Sequence, residues 1–168
     1  MKAIIYTSNT GSTAEYAQLL GKELSFPVHS LQQAKNKVPA GSEIIYLGWI
    51  MAGGIKGYKE AAKLYKVRAV CGVGMGQTGT QLKEVRDKNA IPQRIPLFTL
   101  QGNFDVKKLH GVYRFMMNVM VKTAGKGLAN KTDRTPEEDD MLDMMVNGGK
   151  RVSLQNMKAI TEWYKSVY

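Results

Sequence analysis

The feature that most constrains this fold is an apolar strand that runs straight into a hydroxyl-rich loop, which then opens an amphipathic helix. The strand is predicted over Lys2–Tyr6 and the helix over Ser12–Leu24. The loop consists of Ser8, Asn9, Thr10, Gly11, Ser12 and Thr13. Because unpaired amides and the helix dipole attract an anion to a helix start, this loop is a candidate phosphate site. The alternative is an ordinary serine- and threonine-rich turn.

Strand and helix patterns alternate along the rest of the chain. Further strands are predicted at 26–31, 43–48, 67–73 and 97–100. Further helices are predicted at 55–65, 80–88 and 153–167, with a weaker one within 32–42. Such alternation is typical of an α/β fold, a parallel sheet covered by helices on both faces. We expect a single domain spanning 1–168, with a helical insert at about 103–150 after the fifth strand.

The composition is globular but basic. Lys and Arg number 24 against 14 Asp and Glu, which gives a net charge of +10, and five of the acids fall between 137 and 143. The single cysteine, Cys71, excludes an internal disulfide framework and is expected to be buried. The sequence shows no signal-peptide pattern before the first strand and no apolar run of membrane-spanning length, so we expect a cytoplasmic protein. A basic surface attracts anionic partners.

Two further glycine-rich loops follow predicted strands, at the strand ends where open α/β sheets bind ligands. The first is 48–54, in which Trp49 and Met51 are suited to flank a flat ring. The second is 74–79, which contains the pattern GxGxxG. That pattern is also the dinucleotide fingerprint, but it follows the fourth strand and lacks the acidic residue expected further along the chain.

The spacing Ser8-x-Thr10-Gly11-x-Thr13 resembles the phosphate loop of the flavodoxin family, which holds the monophosphate of FMN without a lysine. The Walker pattern GxxxxGK[ST] is absent. The resemblance implies a flavodoxin-like, doubly wound, five-stranded parallel sheet in the order 2-1-3-4-5, with FMN as cofactor and no metal. It also implies that the flavin ring lies between the second and third loops. The implied cofactor-binding residues are Ser8, Asn9, Thr10, Gly11, Ser12, Thr13, Trp49, Ile50, Met51, Ala52, Gly53, Gly74, Met75, Gly76, Gln77, Thr78 and Gly79.

The segment after the fifth strand predicts two helices. The first covers Leu109–Lys122 and is apolar and rich in methionine, with a polar residue at every fourth position. The second begins at Thr135-Pro136-Glu137-Glu138, a capping-box pattern, and ends near Asn147. In its position this insert resembles that of the menaquinone-dependent protoporphyrinogen oxidases. Packing of the insert as added core, or as the face of a homodimer, is the alternative.

These patterns predict an FMN-binding redox protein in electron transfer. The resemblance implies an oxidase with a quinone or a porphyrinogen-like substrate, and peripheral contact of residues 107–126 with the inner face of a membrane. The alternative is a dedicated electron carrier that serves a redox partner protein and has no substrate of its own. Nucleic-acid binding through the basic surface is a remote alternative from a different class, because no RNP, zinc-finger or helix-turn-helix signature accompanies the charge.

Overall fold

A parallel sheet forms the centre of the fold in the computed structural model, which describes residues 1–103 and 111–168. In chain order the strands are β1 (Ala3–Thr7), β2 (Val28–Ser30), β3 (Glu43–Met51), β4 (Gly54–Ile55), β5 (Lys66–Gly74) and β6 (Leu97–Gln101). The path across the sheet is β2-β1-β3-β5-β6, and all of these neighbours pair in parallel. Among the parallel strands the order is therefore the predicted 2-1-3-4-5. The difference is β4, which lies off this path.

Helices connect the strands and follow the last one. They are α1 (Ser12–Leu24), α2 (Leu31–Lys37), α3 (Tyr58–Leu64), α4 (Leu82–Asn89), α5 (Gly111–Ala129), α6 (Pro136–Asn147) and α7 (Lys158–Val167), and a 3₁₀ turn at Gln155–Met157 precedes α7. The capping box of α6 is confirmed, because Thr135 Oγ1 accepts from the Glu138 amide and Glu138 Oε2 accepts from the Thr135 amide. The insert therefore contains the two predicted helices, α5 and α6.

Side chains alternate between the two faces of the sheet, and each face packs on its own set of helices. Ile5, Tyr46 and Val70 pack with residues of α2, α3 and α4. The opposite face, with Leu47 and Cys71, packs with residues of α1 and α7. The Cys71 side chain is fully buried, as predicted. Because both faces are covered, the loops at the strand ends are what remains accessible on the sheet.

The predicted loop at 48–54 is wrong in its first half, because β3 continues to Met51 and forms a hairpin with β4. Ile50 pairs with Ile55, and Met51 pairs with Gly54. The two turn residues, Ala52 and Gly53, have φ angles of 47° and 74°. This left-handed pair is the geometry that favours a two-residue hairpin turn. In the sequence, the three small residues Ala52, Gly53 and Gly54 indicate a loop. In the structure, the apolar pair Ile50 and Ile55 stabilises a short antiparallel ladder.

Several element boundaries also differ from those predicted. The helix predicted at 55–65 begins at Tyr58, since Gly57 at φ 79° caps it, and the helix predicted at 80–88 begins at Leu82. The first insert helix extends beyond the predicted Lys122 to Ala129. Its predicted start, Leu109 and His110, lies outside the described residues. Within the ranges that the structure describes, no helix is both long and apolar enough to cross a membrane.

Candidate functional site

The three loops singled out in the sequence leave the same edge of the sheet. Thr7 at the end of β1 pairs with Gly48, and Gly48 pairs with Gly72 of β5. Gly74, at the end of β5, pairs with Gln101 at the end of β6. Because the strands are parallel, the segments that follow β1, β3, β5 and β6 emerge side by side at the carboxyl ends of the strands, where ligands bind in open sheets of this type.

The loop after β1 leads directly into α1, whose first turn has no side-chain cap. Gly11 is the N-cap residue at φ 107°, and its carbonyl accepts from the Glu15 amide at 2.9 Å. A Cβ built at Gly11 would meet nothing within 4 Å, so the loop is open above this glycine. The first amides of a helix without a cap have no intrahelical partner. Together with the helix dipole, these amides favour a bound anion.

The Ser8 hydroxyl carries the most direct sign of a missing partner. Its oxygen is buried, and it is the one buried side-chain nitrogen or oxygen in the described part of the chain without a hydrogen-bond partner. Leaving such a group unsatisfied costs about 1–3 kcal/mol, which native structures rarely tolerate without a reason. An anionic ligand oxygen placed over the loop would supply the partner. The hydroxyl and amide donors of this loop therefore fit a phosphate group.

Ser12 is held differently from Ser8, although both lie in the same loop. The Ser12 oxygen accepts a hydrogen bond from the Asn103 amide at 3.0 Å and donates to the Asn103 carbonyl at 3.4 Å. The Ser12 and Thr13 side chains are buried, whereas Asn9 and Gly11 are exposed. In this arrangement Ser12 offers its backbone amide to an anion, and its side chain fixes the start of α1 against the segment after β6.

Asn103 is a positioning residue that the sequence did not indicate. Its side-chain oxygen accepts from the amides of Arg151 at 2.7 Å and Val152 at 3.0 Å, and its side-chain nitrogen donates to Glu15 at 3.1 Å. Arg151 in turn pairs with Asp140 of α6 at 3.2 Å. The start of α1, the end of β6 and the insert are thus joined through one asparagine.

The hairpin after β3 places alternate side chains on opposite sides. A Cβ built at Gly72 would lie 2.7 Å from the Ile50 side chain, so Ile50 packs back over β5. Trp49 and Met51 alternate with Ile50 and share the other side of the strand. The Lys56 ammonium lies 5.7 Å from the centre of the Trp49 ring, within cation–π range. Trp49 and Met51 therefore lie on one side of the hairpin, and their contact with a flat ring stays a prediction.

The turn of this hairpin is tied to α4 by Asn89, which is buried. Its side-chain nitrogen donates to the carbonyl of Gly53 at 2.8 Å, and its side-chain oxygen accepts from the Ile55 amide at 2.8 Å. The same nitrogen donates to Val85 one turn earlier in α4. These bonds fix the peptide that follows Gly53 in one orientation.

The loop after β5 folds over the end of β6. The Gly79 amide donates to the Thr99 carbonyl at 3.0 Å, and the Thr78 hydroxyl oxygen accepts from the Gln101 amide at 3.0 Å. The helix that follows starts at Leu82, after Gln81 at φ 59°. A dinucleotide fingerprint instead leads its glycines straight into a helix start. The course of this loop therefore disfavours the dinucleotide alternative.

The Tyr46 hydroxyl connects the residue before the first loop with the residue after the hairpin. Its hydroxyl donates to the carbonyl of Lys56 at 2.7 Å and hydrogen-bonds Thr7 Oγ1 at 2.7 Å. Burial raises the pKa of Tyr46 above its ordinary value, so the group stays a neutral hydroxyl. A Cβ at Gly57 would lie 2.1 Å from this hydroxyl, which explains the glycine there. The end of β1 and the base of the hairpin therefore keep a fixed spacing.

Other reactive constellations are not evident at this edge. In the part of the chain that the structure describes, no group of three or more His, Cys, Asp or Glu side chains is placed to hold a metal ion. The three loops from Ser8 to Thr13, from Trp49 to Gly53 and from Gly74 to Gly79 contain no acidic residue. What the edge offers is backbone amides, hydroxyls, a tryptophan and a thioether.

Comparison with known proteins agrees with this geometry. The model of the family described as "Flavodoxin domain" matches residues 3–131, a range that includes all three loops and the whole of α5. No curated protein matches the chain. No solved structure matches it either. The family match covers well over half of the sequence, and on this evidence the chain belongs to the flavodoxin domain family.

Proposed function

We propose that this chain is an FMN-binding redox protein that takes part in electron transfer. The observation that carries the proposal is the buried Ser8 hydroxyl without a partner, beside the uncapped start of α1. Membership of the flavodoxin domain family supports a flavin-binding redox role in general. The match to FMN itself is inferred from the loop, because its donors suit a single phosphate group and the chain lacks a lysine between Lys2 and Lys22.

Each part of the edge has a role in this proposal. The amides of the first turn of α1, with the hydroxyls of Ser8 and Thr10, would hold the phosphate. The ring would lie between the side of the hairpin that carries Trp49 and Met51 and the loop 74–79, whose backbone faces its polar edge. When bound, the flavin supplies the electron-transfer chemistry. Asn103, Asn89 and Tyr46 fix the loop at 8–13 and the hairpin, and bonds to Thr99 and Gln101 fix the loop at 74–79.

A second candidate is an oxidase similar to the menaquinone-dependent protoporphyrinogen oxidases. It is favoured by the surface of α5, where Phe115 and Val119 are exposed beside Arg114 and Lys122. Such an apolar and cationic surface would suit a quinone or a porphyrinogen-like substrate, whereas a carrier needs only a docking face for a redox partner protein. Anaerobic incubation of the flavin-loaded chain with protoporphyrinogen and a quinone separates the two. Catalytic porphyrin formation supports the oxidase, and its absence leaves the carrier.

The sharpest test of the cofactor site compares two serines of one loop. We expect Ser8→Ala to weaken FMN binding by a factor of ten or more, since a hydrogen bond to a charged group contributes roughly 1.5–3 kcal/mol. The apoprotein should lose no stability, because the variant removes a buried hydroxyl that has no partner. Fluorescence titration with FMN and thermal unfolding of the apoprotein measure the two effects.

Ser12→Ala is the matched variant, because its hydroxyl already bonds Asn103. We expect this variant to lose about 1 kcal/mol of apoprotein stability and to lose less FMN affinity than Ser8→Ala. If Ser8→Ala binds FMN as tightly as the unmodified chain, the Ser8 hydroxyl does not contact the phosphate and the proposed pose is wrong.

A further inference from the structure

A groove lies at the opposite edge of the sheet, where β5 and β6 begin. It has a volume of about 710 Å³ and is bordered by Lys66–Arg68 at the start of β5, by the segment before β6 and by the end of α7. Small-molecule sites typically measure about 300–1,000 Å³ and are lined mainly by apolar and aromatic side chains with a few polar groups. The groove shares no residue with the three loops, so it is separate from the proposed cofactor site.

The floor and walls of the groove are aromatic and apolar. Tyr58, Tyr65 and Val67 are buried beneath it, and Trp163 of α7 stands at one side. Trp163 is only partly buried, which leaves ring surface for a ligand. Flat, rigid side chains of this kind favour an apolar body that can lie against them.

One wall is already fixed before any ligand arrives. The Arg86 guanidinium donates from one nitrogen to the carbonyls of Ile91, Pro92 and Ile95, at 3.3, 2.8 and 3.1 Å. These three bonds hold the segment that precedes β6 against α4. A preformed wall lowers the entropy lost when a ligand binds.

The charged side chains that line the groove are all cationic. Lys66, Arg68 and Arg94 line it, and none of its described lining residues is acidic. Arg68 is partly neutralised, since it lies 3.8 Å from Glu43 and donates to the Tyr168 hydroxyl at 3.2 Å. Among the described residues, the side chains of Lys66 and Arg94 have no hydrogen bond or ion pair. Two exposed cations with no partner in the described part of the chain therefore line the same groove as the aromatic side chains.

We propose that this groove binds a small organic anion with a flat apolar body. The body lies against Trp163, above the buried Tyr58 and Tyr65, and its carboxylate, or a similar anionic group, faces Lys66 and Arg94. Charge complementarity sets the sign of the ligand, and the short span of the groove sets its size. An extended nucleic acid would need a longer run of phosphate contacts than three cations provide.

The test uses 2-naphthoate as the probe and the purified full chain in NMR titrations of backbone amides. We expect saturable shifts centred on Val67, Arg68, Ile95 and Val167. The neutral analogue 2-naphthylmethanol should bind several-fold more weakly, because it lacks the charge. Combining Lys66→Gln with Arg94→Gln should raise the dissociation constant for naphthoate about tenfold.

The matched control is Lys150→Gln, an exposed cation outside the groove, which should leave the dissociation constant unchanged. Both substituted side chains of the double variant are exposed, so the fold should persist, and unchanged amide spectra verify this. The proposal is overturned if naphthoate shifts only the three loops at the other edge, or if the alcohol binds as well as the acid. Concentration-dependent shifts of the groove residues without the probe would likewise overturn it, because a second copy would then be the occupant.

Discussion

At the scale of single residues, polar side chains from distant parts of the chain fix the loops that form the proposed cofactor site. Tyr46 bonds Thr7 before the first loop and Lys56 after the hairpin, Asn89 holds the hairpin turn, and Asn103 joins α1 to the insert. Each of them bonds main-chain atoms, which remain when the side chain of the partner residue is substituted. The positions of the loop at 8–13 and of the hairpin therefore depend on three side chains that do not themselves need to contact a ligand.

Replacing Tyr46 with Phe tests this dependence. The change removes one hydroxyl and leaves the Lys56 carbonyl and the Thr7 hydroxyl without their partner. We expect the free energy of unfolding to fall by about 1–3 kcal/mol and FMN affinity to fall with it. Chemical denaturation and FMN titration measure the two quantities.

Tyr65→Phe is the control for this prediction. Tyr65 is a buried tyrosine of the same face of the sheet, and its hydroxyl has no hydrogen bond within the described residues. We expect a change of less than 1 kcal/mol. Equal losses in the two variants would show that the Tyr46 hydroxyl bonds contribute nothing specific.

The residues of the phosphate loop could be predicted from the sequence because they are contiguous, and the strand–loop–helix pattern locates them. The roles of Asn103 and Asn89 could not be predicted from the sequence. Each is a single asparagine, and the partners of Asn103 lie 88 to 91 positions before it and 48 to 49 positions after it. Nothing local distinguishes such a residue from an asparagine on the surface. The Ser12 hydroxyl bonds Asn103, whereas the Ser8 hydroxyl has no partner among the described residues. This difference could not be predicted either, because it depends on the distant residue Asn103.

At the scale of elements, α6 is held beside the site by charge. The Asp140 carboxylate accepts from Gln101 at the end of β6, and Arg151 bonds both Asp140 and Asp143. A hydrogen bond from Asn147 and then one from Arg151 lower the pKa of Asp143 below its ordinary value. Asp140 and Asp143 thus attach α6 to Gln101 and Arg151, beside the buried side chains of Met144 and Met145.

This attachment predicts a pH dependence. Since the pKa of Asp143 is lower in the folded state, its contribution to stability is present above the unfolded pKa of about 3.9 and is lost as the pH falls through the folded pKa. The unmodified chain should therefore have a higher melting temperature than Asp143→Asn at neutral pH, and the difference should vanish in acid. Asp133→Asn serves as control, because Asp133 is exposed and has no ion pair within the described residues. A difference that stays constant down to about pH 2 would contradict the assignment.

The surface of α5 predicts contact with a partner or a membrane. Phe115 is 69% exposed, and the described helix carries cations and no acidic residue. Each cation near an anionic bilayer contributes about 1 kcal/mol. We expect the chain to sediment with anionic vesicles but not with neutral ones, and Phe115→Ser to reduce that binding.

Val146→Ser is the matched variant for this experiment. Val146 is 70% exposed but lies on the acidic helix α6, so its loss should not change sedimentation. Absence of binding to both vesicle types, or an equal effect of the two substitutions, would remove the membrane interpretation and leave a protein partner or a homodimer face.

The order of the elements could be predicted because strand and helix periodicities alternate cleanly. The hairpin of β3 and β4 could not be predicted, since Ala52-Gly53-Gly54 has the sequence of a flexible loop. Only the pairing of Ile50 with Ile55 across the turn distinguishes the hairpin. The length of α5 was underestimated, because its last turns contain Gly125 and Gly127, which have low helix propensity. A Cβ built at Gly125 would lie 3.8 Å from the Met145 sulfur of α6, an ordinary packing distance.

At the scale of the whole molecule, the parallel sheet separates two ends with different chemistry. The carboxyl ends of the strands present amides and hydroxyls without acidic residues in the loops, and the amino ends present a cationic groove. The net charge of +10 makes the surface as a whole attractive to anions. The choice among anions is then made locally, by the loop around Ser8 at one end and by the aromatic floor at the other.

The proposed FMN site is tested by titrating the apoprotein with FMN and, in parallel, with FAD, and by identifying any flavin that co-purifies. We expect saturable binding of one FMN per chain, with weaker binding of FAD. We also expect any flavin released from the purified protein to be FMN. Preferential binding of FAD, or no binding of either flavin, would contradict the proposal.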